Sequence, residues 1–492
     1  MKFGFFGNTN NSPFMLAEAL RDLGHEVCVV VTSQELLHRP ESRYPAFKEG
    51  YPDWIVDASQ LSEWEVITLS QSMASLLDLL SDCDALVLND TGPSIWPLVR
   101  RPAIALLTGS DLEYYGSFAT LEARSSNWDS AYKASAEGQV NLNLLREFIQ
   151  RQREGIREAL MVAYMPRGLV PTGDALLDEL GVSDAKRVFL RLAELEFVKP
   201  TPALHNNPVR IFCATRLTWK LPVEPGRSLL DYKGSDIMIR GLGLFYRRTG
   251  VRLDIQLIRK GLHVAETEQL IDDEGLTDQV TWSDEMSLTE VWSQFARCDV
   301  VIDQLANSVM GLAGSDAMAA GRPVIGNSRP EIIHEGLPLC QARTAEEVYV
   351  QLNRLVFDSD ERERMGALGR AFVEENCSPQ RAAQTCLERL KTVLASNEAL
   401  ARLKGTGHRY YLKRCYDERQ ALQATKAELQ TSQQTLQTTQ AELQAAQTKL
   451  AQYENSLPVK AVRKLAGLVK KSRNRLRHPS LIKMATKSGK PS

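Results

Sequence analysis

Short apolar runs alternate with helical segments along most of this chain, and the alternation occurs twice. In the first part, five apolar runs end in turn residues, at positions 2–7, 26–31, 65–70, 85–90 and 103–109. A helix over residues 13–23 connects the first two runs, and a longer helix is predicted over residues 140–164. Because a strand, a helix and a second strand at this spacing form a right-handed crossover between parallel strands, the pattern predicts a parallel sheet covered by helices.

The alternation starts again after KPTPALHNNP at residues 199–208, whose prolines and asparagines predict a linker. Strands are predicted at residues 209–215, 253–259, 279–284, 299–305 and 323–327. Helices are predicted near 235–248, 264–274, 287–297 and 315–320, and further helical sequence covers 345–395. The predicted fold class is therefore α/β, with two Rossmann-like, doubly wound domains, 1–204 and 205–395, that face a cleft.

A chain of 492 residues is too long for a single hydrophobic core, and its 43% apolar and 24% charged residues are typical of a globular protein. Its eight cysteines include no CxxC pair, which argues against a disulfide framework and a zinc site. Neither a signal peptide nor a run of about 18 apolar residues is found. We therefore expect a cytoplasmic protein that binds no metal and contacts a membrane peripherally, at its inner face.

Leucine recurs every seven residues near the end of the chain, at Leu422, Leu429, Leu436, Leu443, Leu450 and Leu457. This heptad period predicts a coiled coil over residues 415–457 and a homo-oligomer formed through residues 422–457. The companion seam positions are mostly polar in either register, so we expect the pairing to be weak. A solvated single helix and a flexible spacer are the alternatives.

Residues 458–492 carry eleven Lys and Arg and no Asp or Glu. Subtracting these charges from the net charge of −2 leaves −13 for residues 1–457. On a helical wheel the apolar and basic residues of 459–476 separate into two faces, except for Arg473, which predicts a helix lying on an anionic membrane. A disordered basic tail that binds polyanions is the alternative, and nucleic acid is not the expected partner.

Loops that follow predicted strands of the second domain carry residues suited to a nucleoside diphosphate. Arg216 ends the first strand of this domain, and Lys233 stands beside Gly234 before the next helix. Two positive charges at these places can compensate a diphosphate without a metal. A solvated arginine and a lysine–glycine turn are the alternative interpretation of the same residues.

The stretch after residue 299 is the most informative part of the sequence. A strand ends at Asp303 and Gln304, and a loop with glycine and serine then leads into a short helix. The backbone amides at the start of such a helix can bind an anion. Asp316 is placed either to cap this helix or to accept hydrogen bonds from ribose hydroxyls. The candidate donor-binding residues are Asp303, Gln304, Ser308, Gly311, Gly314, Ser315 and Asp316.

The order of these residues resembles the donor-binding domain of the retaining, family 4-like GT-B glycosyltransferases, a group that includes bacterial polysaccharide mannosyl- and glucosyltransferases. The likeness rests on Arg216, on Lys233 with Gly234, and on the string DAMAAGRPV at residues 316–324. It covers residues 205–395 well and residues 1–200 more loosely. The resemblance implies transfer of a hexose from a UDP- or GDP-linked donor to a glycan or lipid-linked acceptor, with retention at the anomeric carbon and without a cofactor.

The resemblance also implies roles for single residues. Arg216 and Lys233 are expected to be the catalytic pair that holds the diphosphate leaving group, while the amides of residues 311–315 contact the sugar and phosphate. Asp316 is expected to bind the ribose. The acceptor side of the cleft is expected to comprise Gly7, Asn8, Asn10, Asn11, Gly109, Ser110 and Asp111.

The chain departs from the family pattern at two places. Ser308 and Asp316 occupy the positions of two glutamates that are common in the family, and Thr108 stands where histidine is common. Ser308 has no carboxylate to contact the sugar, which favours a second interpretation, a catalytically decayed glycosyltransferase-like scaffold that assembles through its coiled coil. A nucleotide-sugar epimerase of the same fold is a third interpretation, for which we identify no acid/base pair in the cleft loops.

Overall fold

The computed structural model describes residues 1–220, 231–306, 308–329, 336–394 and 407–476. Of these, residues 393–394, 407–427, 454, 457 and 474–476 are described by their backbone alone. The chain divides into two compact units, residues 1–412 and 413–492. The first unit contains two parallel sheets with their helices, and the described part of the second is helical.

Seven parallel strands form the first sheet. They are β1 (Lys2–Phe6), β2 (Glu26–Val31), β3 (Ile55–Asp57), β4 (Ala85–Leu88), β5 (Ala103–Leu106), β6 (Met161–Ala163) and β7 (Arg187–Val188). Their order across the sheet is β3-β2-β1-β4-β5-β6-β7. The helices of this region are α1 (Ser12–Asp22), α2 (Glu63–Ile67), α3 (Ala74–Ser81), α4 (Trp96–Val99), α5 (Ser110–Glu113), α6 (Leu121–Arg124), α7 (Ser130–Ala134), α8 (Ala136–Glu158) and α9 (Pro171–Glu179).

Six parallel strands form the second sheet. They are β8 (Arg210–Cys213), β9 (Asp254–Ile258), β10 (Val280–Ser283), β11 (Val300–Ile302), β12 (Val324–Gly326) and β13 (Cys340–Gln341), in the order β10-β9-β8-β11-β12-β13. The helices described here are α10 (Ser235–Thr249), α11 (Val264–Asp273), α12 (Leu288–Phe295), α13 (Leu312–Ala319), α14 (Ala345–Phe357), α15 (Ser359–Asn376) and α16 (Pro379–Leu394). The predicted pair of doubly wound α/β domains is confirmed.

Helices cover both faces of the first sheet because its strands are apolar on both sides. Phe3 and Phe5 of β1 pack in the same buried cluster as α1, whereas Phe6 packs on the opposite face with α3. The helix α16 follows the second sheet in sequence, yet its Cys386 and Leu390 lie in the buried cluster of the first sheet. The chain thus crosses between the domains twice. The predicted domain bounds stay predictions.

The first domain differs from the prediction at residues 65–70 and 140–164, and its short strand β7 was not predicted. Residues 65–70 were expected to form a strand, but a capping box of Ser62 and Glu65 starts the helix α2 there, and the neighbouring edge strand is β3. The helix predicted over residues 140–164 ends at Glu158, since Met161–Ala163 pairs with β5 as a strand. The other predicted strands are confirmed within their predicted ranges.

The helical tail is described as α17 (Gly407–Glu454) and α18 (Leu457–Leu476). The predicted heptad leucines from Leu422 to Leu450 therefore lie on α17, whereas Leu457 begins α18, and the predicted amphipathic segment forms a helix as far as residue 476. The rest of the basic tail, residues 477–492, lies outside the described residues. Among the helices that the structure describes, none combines the length and the apolar character needed to span a bilayer.

Candidate functional site

A cleft of about 640 Å³ lies between the two domains, at the carboxyl ends of their strands. Open α/β folds bind ligands at this edge. Five of the predicted site residues line the cleft, namely Asn10, Gly109, Ser110, Arg216 and Lys233. The other predicted residues are not in its lining. Several of them hold the lining loops in place from behind.

Lys233 connects two loops at the second-domain wall of the cleft. Its Nζ donates to Gln304 Oε1 over 3.0 Å, its backbone amide donates to Thr218 O over 2.7 Å, and its carbonyl accepts from the amide of Leu305 over 2.9 Å. Burial, together with the nearby charge of Arg216, lowers the pKa of Lys233 to about 8. A bound anion would favour the charged form of this lysine and raise its pKa.

Arg216 stands on the same wall and is half exposed. Its Nη2 lies 3.2 Å from Asp231 Oδ1, and both residues line the cleft. Gly234 follows Lys233 with φ of 73°, and a Cβ there would meet the amide nitrogen of Ala306 at 2.8 Å. Only glycine therefore fits this turn, which starts α10 directly beside the two cations.

The predicted donor loop is organised around a buried carboxylate. Asp303 Oδ2 accepts from the amide of Gly311 over 2.5 Å, and Oδ1 accepts from Thr215 Oγ1 over 3.3 Å. A Cβ on Gly314 would lie 2.8 Å from the same carboxylate. Burial raises the pKa of Asp303. Asp303, Gly311 and Gly314 thus fix the fold of this loop, and none of them is in the cleft lining.

Three further predicted residues also lie outside the lining. Ser308 accepts from the amide of Arg329 through its carbonyl over 3.1 Å, and the amide of Ser315 donates to Gly311 O over 3.2 Å. Asp316 is half-buried in the joint between the domains, where Oδ1 accepts from the amide of Glu194 over 2.9 Å. Its Oδ2 accepts from the indole of Trp292 over 3.0 Å.

The position of Asp316 changes what its carboxylate can do. Burial raises its pKa to about 7, and both of its oxygens already accept hydrogen bonds from within the protein. The same joint contains Arg43, whose guanidinium binds Glu194 Oε2 over 2.6 Å. A ribose-binding role for Asp316 stays a prediction, and the structure does not bring this residue to the cleft surface.

On the first-domain wall, hydrogen bonds from asparagine side chains connect two loops. Asn8 Nδ2 donates to Asn11 Oδ1 over 2.8 Å and to His38 O over 2.9 Å, and Asn11 Nδ2 donates to Leu37 O over 2.8 Å. Gly7 precedes this loop with φ of 86°, and a Cβ there would meet Asn89 O at 2.4 Å. These contacts hold the backbone of the loop against the strands.

A second buried carboxylate organises the loop after β5. Asp111 Oδ1 accepts from the amides of Thr108 and Gly109 over 2.8 and 2.9 Å, and Oδ2 accepts from Asn89 Nδ2 over 3.0 Å and from the amide of Asp90 over 3.3 Å. Burial raises its pKa to about 6, against the opposing effect of these hydrogen bonds. The result is a fixed turn that presents Gly109 and Ser110 to the cleft.

An ionic network that sequence reasoning missed joins the two walls. Lys260 Nζ lies 2.9 Å from Glu35 Oε1 of the first domain and also binds Glu285 of its own domain. Burial alone would raise the pKa of Glu35, but the hydrogen bond from Lys260 holds this pKa below its usual value. No local motif marks these residues. Their positions in the loops after β2, β9 and β10 were the only sequence signal that could have placed them at the cleft.

His38 belongs to the same network. Its Nδ1 accepts from the amide of Asn10 over 2.9 Å, so the neutral ring carries its proton on Nε2, which lies 3.4 Å from Glu35 Oε2. Burial lowers the pKa of His38 and favours this neutral form. The ring therefore supports the Asn10 loop and the Glu35 carboxylate at the same time.

The cleft wall of the second domain also has an apolar part, formed by Ala214, Ile258, Met286, Leu288 and Val291. Together with the cations it offers both an apolar surface and positive charge to one ligand. Within the described residues, no group of three or more His, Cys, Asp or Glu side chains is arranged to hold a metal ion.

Two solved structures share this architecture and each covers 80% of the chain. Sucrose-phosphate synthase from Thermosynechococcus elongatus is 14% identical, is covered over 99% of its own length and aligns with a TM-score of 0.51. A glycosyltransferase from Rickettsia africae ESF-5 is 12% identical, is covered over 98% and also aligns with a TM-score of 0.51. No protein-family model and no curated protein matches the sequence. The two parallel-sheet domains and this likeness show that the chain has the GT-B fold.

Proposed function

We propose that this protein is a glycosyltransferase that moves a hexose from a UDP- or GDP-linked donor to a glycan or to a lipid-linked acceptor. One observation carries the proposal: Arg216 and Lys233 line the same cleft wall, at the carboxyl edge of the second sheet and at the start of α10. A nucleoside diphosphate needs two or more positive groups at its phosphates. The GT-B fold is also that of the Rickettsia africae protein described as a glycosyltransferase.

In the proposed donor complex, Arg216 forms hydrogen bonds to the diphosphate from the cleft side, while Lys233 approaches it from the buried side. The amide end of α10 adds positive potential at the same place. The apolar wall around Met286 and Leu288 faces the same cleft and suits the nucleoside. This arrangement compensates the leaving group with protein cations, which is why the proposal includes transfer without a metal.

In the proposed reaction, the bond between the anomeric carbon and the diphosphate oxygen breaks while the acceptor hydroxyl oxygen bonds to that carbon. Retention, which the resemblance to the family implies, requires both events on the same face of the sugar. The hydroxyl proton leaves with the departing diphosphate. Asn10 and Ser110 on the opposite wall are the proposed contacts to the acceptor.

The first test is thermal unfolding of the purified protein with UDP, GDP, ADP and their common sugar conjugates, without and with Mn²⁺. A ligand that binds the folded state alone stabilises it by about 2.7 kcal/mol at one hundred times its dissociation constant. We expect one nucleotide series to raise the Tm without Mn²⁺. If every nucleotide fails at millimolar concentration, the proposed function is wrong.

A matched pair of variants connects this shift to the cleft. Arg216→Ala is expected to reduce the shift, because it removes a cation from the proposed diphosphate site. Arg252→Ala is the control, since Arg252 is exposed to the same extent, 48% against 47%, and also pairs with one aspartate. Equal shifts in the two variants would remove Arg216 from the site.

The hydrogen bonds of Asp316 favour a second candidate, the decayed scaffold. A carboxylate whose two oxygens are held by Glu194 and Trp292 is not available to a ribose in this arrangement. The two candidates differ in nucleotide affinity, because a decayed cleft should bind neither UDP nor GDP. They also differ in turnover, since the scaffold would bind no donor and release no nucleoside diphosphate.

A further inference from the structure

The helix α18 (Leu457–Leu476) presents a divided surface. Val462, Leu465, Leu468 and Val469 are exposed by 59–64% on one side of the helix. Lys460, Arg463, Lys464, Lys470 and Lys471 occupy the opposite side, Arg473 lies on the apolar side, and the helix has no acidic residue. An apolar stripe next to a purely cationic face matches the boundary between acyl chains and anionic headgroups.

The helix α17 (Gly407–Glu454) has a different exposed surface. Leu429, Leu436, Leu443 and Leu450 follow one another at intervals of seven residues and are exposed by 54–60%. Large apolar side chains at this period form the seam of a coiled coil, where each fits between residues of an identical partner helix. The stripe is long and narrow, which suits a second copy of the same helix.

Each surface is weak when it acts alone. The positions between the leucines of α17 are mostly Gln, Thr and Ala, so pairing of two helices has little apolar area beyond the leucines themselves. A single short basic helix binds a membrane reversibly. Two binding modules on one particle bind far more tightly than either module, because the second contact becomes intramolecular.

We propose that the tail is a dimeric membrane anchor, in which two copies of α17 pair along the leucine stripe and deliver two α18 helices to one anionic lipid surface. Binding to the surface concentrates the chains and so favours the pairing in turn. This proposal goes beyond the proposed function and does not depend on it. Lipid binding and nucleotide binding can therefore fail independently.

The experiment measures co-sedimentation of the full chain with vesicles of phosphatidylcholine containing 30% phosphatidylserine, and with vesicles of phosphatidylcholine alone. The test variant Leu436→Gln/Leu443→Gln replaces two seam residues. The control variant Thr438→Gln/Ala445→Gln makes the same number of changes on the outer face of the same helix, away from the leucine stripe in both registers. Sedimentation velocity gives the oligomeric state of each protein.

We expect the wild type and the control to be dimers that bind the anionic vesicles, with binding lost in 0.5 M salt. The seam variant is expected to be a monomer that binds at least tenfold more weakly, because avidity is lost. A third variant, Lys464→Glu/Lys471→Glu, is expected to stay a dimer and to lose vesicle binding.

Three outcomes would overturn the proposal. A monomeric wild type would contradict the proposed pairing of α17. Equal vesicle binding by the seam variant and the control would contradict the proposed dependence of membrane binding by α18 on that pairing. If the wild type bound RNA or DNA but not anionic vesicles, the partner of α18 would be a nucleic acid and not a membrane. The melting temperature without any ligand serves in every variant as the check that the two-sheet unit is folded.

Discussion

The two sheets share the same strand order through their first six strands, yet the loops that follow those strands have different roles in the two domains. In the first domain the loop side chains bond mainly to other parts of the same domain, as Asn8, Asn89 and Asp111 do. In the second domain Arg216, Lys233 and Lys260 carry positive charge to the cleft. The same architecture thus supports a preorganised wall on one side and a charged wall on the other.

This difference has an energetic consequence. Side chains that satisfy buried backbone groups contribute to the stability of the fold, and removing one leaves several donors without partners. Cations held near one another contribute little to stability, since their charged forms repel, and they become favourable once an anion binds. We therefore expect variants of the first-domain wall to lose stability and variants of the second-domain wall to lose affinity.

The largest effect is expected for Asp111→Ala. The change leaves the amides of Thr108, Gly109 and Asp90 without this acceptor in a buried site, and Asn89 Nδ2 loses one of its acceptors while it keeps Leu106 O. We expect a loss of about 3–4 kcal/mol in the free energy of unfolding, from several unsatisfied donors at once. Denaturant unfolding followed by circular dichroism measures it.

The control for this variant is Asp53→Ala, which removes an exposed carboxylate from the same domain. It is expected to change the free energy of unfolding by less than about 0.5 kcal/mol. A loss below 1 kcal/mol for Asp111→Ala would mean that the loop after β5 is held by other contacts. The proposed contrast between the two walls would then be wrong for the first domain.

Lys233→Met tests the second wall. The change keeps an unbranched side chain that is one atom shorter and removes the charge, so we expect binding of a nucleoside diphosphate to weaken by about 1.5–3 kcal/mol while the fold keeps its stability. Because the pKa of Lys233 is lowered to about 8 in the folded state, its charge is less favourable there than in the unfolded chain, and removing the charge costs the fold little. Isothermal titration calorimetry measures the affinity.

The pH dependence of binding gives an independent readout for Lys233. A diphosphate binds the protonated lysine, so wild-type affinity is expected to fall as the pH rises through about 8, and the variant should lack this fall. Lys220→Met is the matched control, since Lys220 is an exposed lysine of the same domain paired with Glu266. Equal affinities for the two variants would exclude Lys233 from the diphosphate site.

Asp316→Asn examines the joint between the two domains. The native pKa of Asp316 is raised to about 7 from an ordinary value of 3.8, so the folded state binds more protons than the unfolded state between about pH 4 and pH 7. Its contribution to stability is therefore lost as the pH rises through this window. We expect the Tm of the variant to fall less steeply from pH 5 to pH 7.5 than that of the wild type. Identical slopes would contradict a carboxyl that stays protonated up to about pH 7 in the folded state.

Much of the fold follows from local sequence patterns. Nine of the thirteen described strands were predictable because most of their residues are apolar, as expected for strands covered on both faces, whereas β3, β6, β7 and β13 were not predicted. The region at residues 65–70 was misassigned because its apolar spacing fits a strand, whereas the capping box of Ser62 and Glu65 specifies a helix. Short edge strands such as β7 and β13 have too few residues to show a period.

The candidate site was predictable only in part, for a physical reason. Sequence motifs locate loops at strand ends, so they gave Arg216 and Lys233, but they do not tell whether a side chain points into the cleft or into the domain. Asp316 illustrates this, since its partners Glu194 and Trp292 come from distant parts of the chain. Glu35 and Lys260 escape detection for the same reason, because their pairing depends on how the two domains face each other.

The smallest effect is expected for Glu35→Gln, which removes the ion pair that joins the walls. Lys260 keeps Glu285, and a neutral amide oxygen can still accept from His38, so the free energy of unfolding should fall by less than about 1 kcal/mol. Glu266→Gln breaks a comparable pair within the second domain and should cost equally little. Hydrogen exchange distinguishes the two variants. We expect faster exchange at residues 35–39 and 259–262 in Glu35→Gln but not in Glu266→Gln, because of these two ion pairs it is the one between Glu35 and Lys260 that connects loops of different domains. Unchanged exchange in both segments would mean that Glu35 and Lys260 do not hold the walls together, and the two loops would then be ordered by their own domains.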